Sequence, residues 1–140
     1  MRTVKNVIFF VPWIPRAILE LIRARLVLAR IEPQQILDLN TQTKALCSRD
    51  CHWVIQQDVA IEAITFLLPR IGARLPWRSD CLVQALAAQR WLATYYIASK
   101  IEIGVRRDAN SKFLAHAWLI QGGKVVLGGE TRDFSRLLTQ

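Results

Sequence analysis

Arg78-Ser79-Asp80-Cys81-Leu82 is the stretch on which the reading of this chain turns. Pro76 and Trp77 close a loop ahead of it, and Leu82 to Tyr96 follow without a Gly or Pro. Ser79 and Asp80 are both suited to cap a helix, because their side-chain oxygens accept from the orphan amides of a first turn. Cys81 therefore falls at a helix start, where the positive end of the macrodipole favours thiolate. Further on, Ala115-His116-Ala117-Trp118 reads as a strand and carries one of only two histidines. A cysteine at a helix start and a histidine on a later strand are the parts of a thiol nucleophile and its base.

Downstream of the Cys81 helix the periodicity changes. Ile101, Ile103 and Val105 alternate with Glu102 and Gly104, as in a half-buried strand. Residues 107–112 read as a turn, Phe113 to Gln121 as a second strand, Gly122-Gly123 as a hairpin and Lys124 to Leu127 as a third strand. Gly128-Gly129 ends it, and Glu130 to Leu138 form a tail with short-helix character. Upstream the patterns are helical. Pro15 suits a first turn, and Ala17, Ile18, Leu21, Ile22, Leu26 and Leu28 repeat at helical spacing. Pro33 stops that helix, a short one runs from Pro33 to Leu39, and Asn40, Thr41 and Thr43 make a break or cap. A third runs from about Lys44 to Leu68, ended by Pro69 and Gly72. The expected fold is α+β in a single domain, 1–140. A helical N-terminal lobe spans 1–69. Residues 70–140 form a lobe of one helix packed on a three-stranded antiparallel sheet.

The 140 residues suffice for a real core, and 52% apolar content excludes a disordered chain. The formal net charge of +8 asks for an acidic partner: a peptide, a membrane surface or a nucleic acid. The arginines are scattered and no nucleic-acid-binding motif is present, which argues against nucleic acid. Three cysteines give no disulfide framework and point to a reducing, cytoplasmic setting. No run is long enough to span a membrane. Ile8-Phe9-Phe10, with arginines behind it, reads as core packing, with peripheral membrane contact as the competing reading.

Each candidate has a plain structural reading beside it. Cys81 alone fits a small buried hydrophobe, and His116 a satisfied core histidine. Asp80 reads as a cap rather than an acid. Trp77 and Trp118 fit the walls of a substrate groove or the core equally. Cys47, Cys51 and His52 begin a metal-ligand pattern, but a closed zinc site needs four ligands at other spacings, so no metal and no cofactor is expected.

The runs Leu75-Pro76-Trp77-Arg78-Ser79-Asp80-Cys81-Leu82-Val83-Gln84-Ala85-Leu86-Ala87-Ala88, Ile101-Glu102-Ile103-Gly104-Val105, Ala115-His116-Ala117-Trp118-Leu119 and Gly123-Lys124-Val125-Val126 resemble the lasso-peptide biosynthesis leader peptidases. These are transglutaminase-like cysteine proteases of bacteria, and the resemblance covers about residues 70 to 130. It implies a transglutaminase/papain-like core with Cys81 as nucleophile and His116 as base and acid. The activity it implies is removal of the leader from a ribosomally made precursor. The partners it implies are the precursor leader, a separate leader-binding winged-helix protein and a lasso cyclase. The Cys81 amide is the expected first oxyanion donor. The family pattern places an aspartate after the His-Ala-Trp hairpin, where this chain reads Val125-Val126-Leu127-Gly128-Gly129-Glu130. Glu130 is the expected third member, ahead of Asp133; the competing reading leaves the imidazole to a backbone carbonyl. Two other functions stand beside peptidase: a non-catalytic scaffold with a decayed triad, and acyl transfer to an amine.

Overall fold

Pro15 stands within the first two positions of the first helix, α1, Ile14–Leu28, entered through a 3-10 turn over Val11–Trp13. Its fixed φ suits a first turn, where the missing N–H costs nothing. The computed structural model of the chain describes residues 10–32, 34–47, 54–77 and 80–137. The face of α1 that is buried is Ala17, Glu20, Leu21 and Ala24, narrower than the apolar pattern suggested. Ile22 and Leu26 stay exposed. Alanines at this stripe let α1 lie close against the later helices, and Arg16 reaches across to donate to Thr94 Oγ1 at 2.8 Å. Phe10 is buried and meets the Phe66 ring at 5.7 Å. Ile8 and Phe9 lie outside the described residues.

The expected break at Asn40, Thr41 and Thr43 is not there: one helix, α2, runs Gln35–Cys47. Thr41 and Thr43 turn their hydroxyls back to the carbonyls of Leu37 and Leu39. Asn40 finds a tertiary partner instead of capping. The third helix, α3, is Val54–Gly72 and passes through Pro69. A proline removes the bond from its own N–H and crowds the carbonyl four residues back, and here only one further turn follows it. Side chains meet carbonyls on both sides of the proline, Arg70 Nη1 donating to Phe66 O before it and Arg74 Nη1 to Arg70 O in the last turn.

The fourth helix, α4, is Cys81–Ala93, ending before the expected Tyr96. Tyr96 takes φ 58, and Ile97 N–H donates to Leu92 O while Tyr96 N–H donates to Ala93 O. That pair of bonds is a Schellman ending, with a tyrosine where glycine is usual. Trp91, Leu86 and Leu92 on α4 are fully buried. They join residues of α1, α2, α3 and the sheet in one hydrophobic cluster.

The sheet has four antiparallel strands, β1 Lys100–Arg107, β2 Phe113–Gln121, β3 Lys124–Leu127 and β4 Ser135–Arg136, in the order β3-β2-β1-β4. The tail thus supplies a short fourth strand rather than a helix. Ile101, Leu119 and Leu127 face the helices. The other face is covered too, against the simple alternation read from Glu102 and Gly104. Glu102 is buried and takes Trp118 Nε1–H at 3.1 Å and Arg136 Nε–H at 3.2 Å, with Lys100 Nζ at 3.4 Å.

Asn40 closes the outer edge of β1. Its Nδ2 donates to Ile101 O and its Oδ1 accepts from Ile101 N, both at 2.9 Å. One side-chain amide thus imitates a paired strand. Gln89 of α4 donates to the same Oδ1 at 2.7 Å and to Ser99 O at 3.2 Å. Further along, Leu137 N–H donates to Ile103 O, and β4 pairs Gly104 and Val105.

Candidate active site

Cys81 opens α4 and is half-buried. Asp80 occupies the N-cap position in extended conformation, but its side chain makes no capping hydrogen bond; its carbonyl accepts from Gln84 N–H. Ser79 and Arg78 lie outside the described residues. The first-turn amides of α4 are therefore left without a side-chain cap from Asp80.

The sulfur is placed by β2. Ala117 N–H donates to Cys81 Sγ at 3.4 Å. A strand amide points in the plane of its sheet, so Sγ lies beside the edge of β2 and not over a face. Ala117 follows His116 directly, so standard backbone dimensions put His116 Cα within about 6 Å of the sulfur. Helix start and histidine strand are brought together as the spacing suggested.

The imidazole is oriented by a main-chain group. His116 Nε2 lies 2.5 Å from Gly128 O. A carbonyl only accepts, so Nε2 carries the proton, and the neutral ring has its lone pair on Nδ1. Phe134 packs on the ring at 5.1 Å between centroids and Trp118 at 6.1 Å. Arg106 lies 4.9 Å over Phe134.

Glu130 is not brought to this ring. Both carboxylate oxygens are held by Arg132, Nε at 2.8 Å and Nη2 at 2.9 Å. Hydrogen bonds from the Arg132 side chain and backbone lower Glu130 from its ordinary 4.5 to about 2, in an exposed segment after β3. Asp133 lies 3.9 Å from Arg106. The physical reason is local: an arginine two residues on captures the carboxylate before it can reach across to β2.

The residue that the sequence reading missed is Gly128. It has φ +110, and a Cβ there would stand 2.5 Å from Trp118 Cβ and 2.8 Å from Trp118 Cα. Only glycine lets the chain leave β3 this close to β2, and that approach lays the carbonyl on His116. The Gly-Gly pair was the available signal, read only as a strand end.

Trp118 is 1% exposed and donates to Glu102, so it belongs to the packing beneath the site and walls no groove. Trp77 is half-buried, with a buried Nε1 that has no hydrogen-bond partner among the described residues. Cys51, His52 and the side chain of Cys47 lie outside the described residues. Among the described residues no cluster of three His, Cys, Asp or Glu is placed to hold a metal. A cavity of about 390 Å³ lies elsewhere, at the far end of β2, between Leu37, Lys44, Ser99 and Ile120. The nucleophile candidate sits at an open strand edge instead.

A cysteine opening a helix, laid against a histidine strand of an antiparallel sheet, defines the class of papain- and transglutaminase-like thiol folds. The family model described as transglutaminase-like superfamily matches residues 18–139, and the chain belongs to that superfamily. The match takes in α1 from Ile18 onward, α2 to α4 and the sheet. No curated protein and no solved structure matches the chain.

Proposed function

We propose that the chain is a bacterial cysteine peptidase that removes the leader from a ribosomally made lasso-peptide precursor. The single observation that carries the catalytic part is the contact of His116 Nε2 with Gly128 O, beside a sulfur tied to the next residue's amide; because a carbonyl only accepts, the contact assigns the proton to Nε2. Nδ1 then takes the Cys81 thiol proton as sulfur attacks the carbonyl of the leader–core junction. The tetrahedral intermediate collapses to a thioester as the imidazolium protonates the departing amine. Water, losing a proton to Nδ1, hydrolyses the thioester and frees Cys81. The Cys81 amide is the oxyanion donor, at a helix end not closed by an Asp80 cap bond. In this reading Gly128 O does the work first assigned to Glu130.

The substrate class rests on the resemblance of the Cys81, His116 and Gly123–Val126 runs to the leader peptidases. The same resemblance supplies the partners: the precursor leader, a separate leader-binding winged-helix protein and a lasso cyclase, all in the cytoplasm. No helix among the described residues is long and apolar enough to cross a membrane. A non-catalytic scaffold is the second reading, favoured by one observation: Glu130, the nearest carboxylate in sequence, is bound to Arg132.

The test is a cleavage assay on a lasso-type precursor with its leader-binding partner, comparing wild type and Cys81→Ala by mass spectrometry. One cut at the leader–core junction, absent in the variant, is the expected result. No cut by wild type across several precursor and partner pairs would turn the reading to the scaffold.

A further inference from the structure

The edge of β2 is paired along only part of its length. β3 covers Leu119, Ile120 and Gln121, and then leaves at Gly128. The other side of β2 is paired with β1 from Phe113 to Ile120. In an antiparallel pair, successive residues send N–H and C=O alternately to the two sides. Ala117 N–H goes to Cys81 Sγ, away from β1. Ala115 and Phe113 share its parity, so their N–H and C=O groups also face the uncovered edge. Both residues are exposed. Among the described residues, no hydrogen bond outside the β1 ladder reaches either main chain. An unpaired edge of this kind is a template for another extended chain.

We propose that the peptide substrate binds as an added strand on this edge, paired with Ala115 and Phe113, so that a carbonyl within the next two residues arrives at Cys81. This rests on the peptidase reading and deepens it. Two residues of strand advance the chain by about 7 Å, the step from Ala115 to Ala117. A substrate residue paired with Ala115 therefore brings the residue two further along opposite Ala117, beside the sulfur. The occupant is an extended polypeptide because the recognition offered is main-chain hydrogen bonding, continuous with the path of β3 on the same edge. Exposed Phe113 and Leu114, 67% and 40% accessible, offer apolar contact to alternate side chains. The edge fixes backbone geometry and reach, and accepts many sequences. Sequence choice falls to whatever holds the rest of the precursor.

The experiment uses Ala115→Pro in the full chain, with the precursor and partner that the wild type cuts. Proline removes the outward N–H and puts its ring in the path of an added strand. It is tolerated where that N–H faces solvent at an edge. The expected result is at least a tenfold rise in KM with kcat within threefold. Circular dichroism and Tm report whether the variant is folded. A substrate series N-methylated at one amide at a time gives a second readout without touching the protein. Sensitivity alternating with a period of two, on the side of the junction lying along Ala115 and Phe113, is expected. A folded Ala115→Pro variant with unchanged KM, or uniform tolerance of N-methylation, overturns strand addition while peptidase activity stands. If wild type and Cys81→Ala treat the unmodified precursor alike, the peptidase reading and this inference fall together.

Discussion

Gly128→Ala tests the carbonyl that orients the imidazole. The added Cβ would stand 2.5 Å from Trp118 Cβ, whereas ordinary contact begins at 3.4 Å. The Gly128 backbone must therefore back away by about 1 Å, since Trp118 is 1% exposed and has no room to yield. An L side chain at φ +110 adds about 1–2 kcal/mol of strain. Overpacking against a buried ring adds about 1–2 kcal/mol more. The total is about 3 kcal/mol, or roughly a 10 °C fall in Tm for a chain of this size. The same retreat lifts Gly128 O from His116 Nε2. Loss of one hydrogen bond, about 1–1.5 kcal/mol, corresponds to about tenfold in kcat. Gly129→Ala separates strain from clash, because Gly129 has φ +69 but a Cβ there meets nothing within 4 Å. It should cost about 1 kcal/mol and leave kcat alone. Urea unfolding and precursor turnover, run on the three proteins, read both quantities. A Gly128→Ala protein no less stable than Gly129→Ala, with wild-type kcat, would refute the account of the site.

Glu130→Gln should leave turnover at neutral pH unchanged, because the carboxylate is held by Arg132. Its depressed value, about 2 against 4.5, means that its contribution to stability is present above pH 4.5 and lost as pH falls toward 2. The wild-type and variant Tm curves should therefore converge below about pH 2; a large drop in kcat would restore Glu130 to the mechanism. Asn40→Ala should destabilise by about 3 kcal/mol in urea unfolding, since Ile101 N–H and Gln89 lose a partner together; a loss under 1 kcal/mol would show that water replaces the clamp. Tyr96→Gly should raise stability by about 1 kcal/mol, relieving a left-handed tyrosine at φ 58. A falling Tm would mean that the tyrosine ring contributes more than its backbone costs.

The meeting of Cys81 with the His116 strand was legible because both depend on local signals: a loop-to-helix boundary at Cys81 and an alternating run around His116. Helix α4 and three of the strands follow from the same kind of signal. That a backbone carbonyl orients His116 was the competing reading, but which carbonyl was not legible, since a main-chain group carries no side-chain signature and its position depends on how closely β3 leaves β2. Asn40 looked like a breaker because its preference for local backbone bonds is a sequence average; a partner 61 residues away in Ile101 overrides it. Pro69 failed as a stop because only one turn remained to be disrupted. Strand β4 has two residues, too short for any period. Glu102 read as solvent-facing because nothing in the alternation announces Trp118 and Arg136 closing over it.

The Asn40 clamp bears on how this fold can be cut and recombined. The outer edge of β1 is finished at Ile101 by a side chain from the helical half. A chain begun at residue 70 would keep Cys81, His116 and Gly128 but would leave Ile101 N–H and C=O bare, and Gln89 without its Oδ1 partner. Such a fragment is expected to self-associate through that edge. The smallest transplantable unit carrying the candidate site therefore includes α2, and grafting the sheet and α4 alone into another protein would require a substitute for one asparagine.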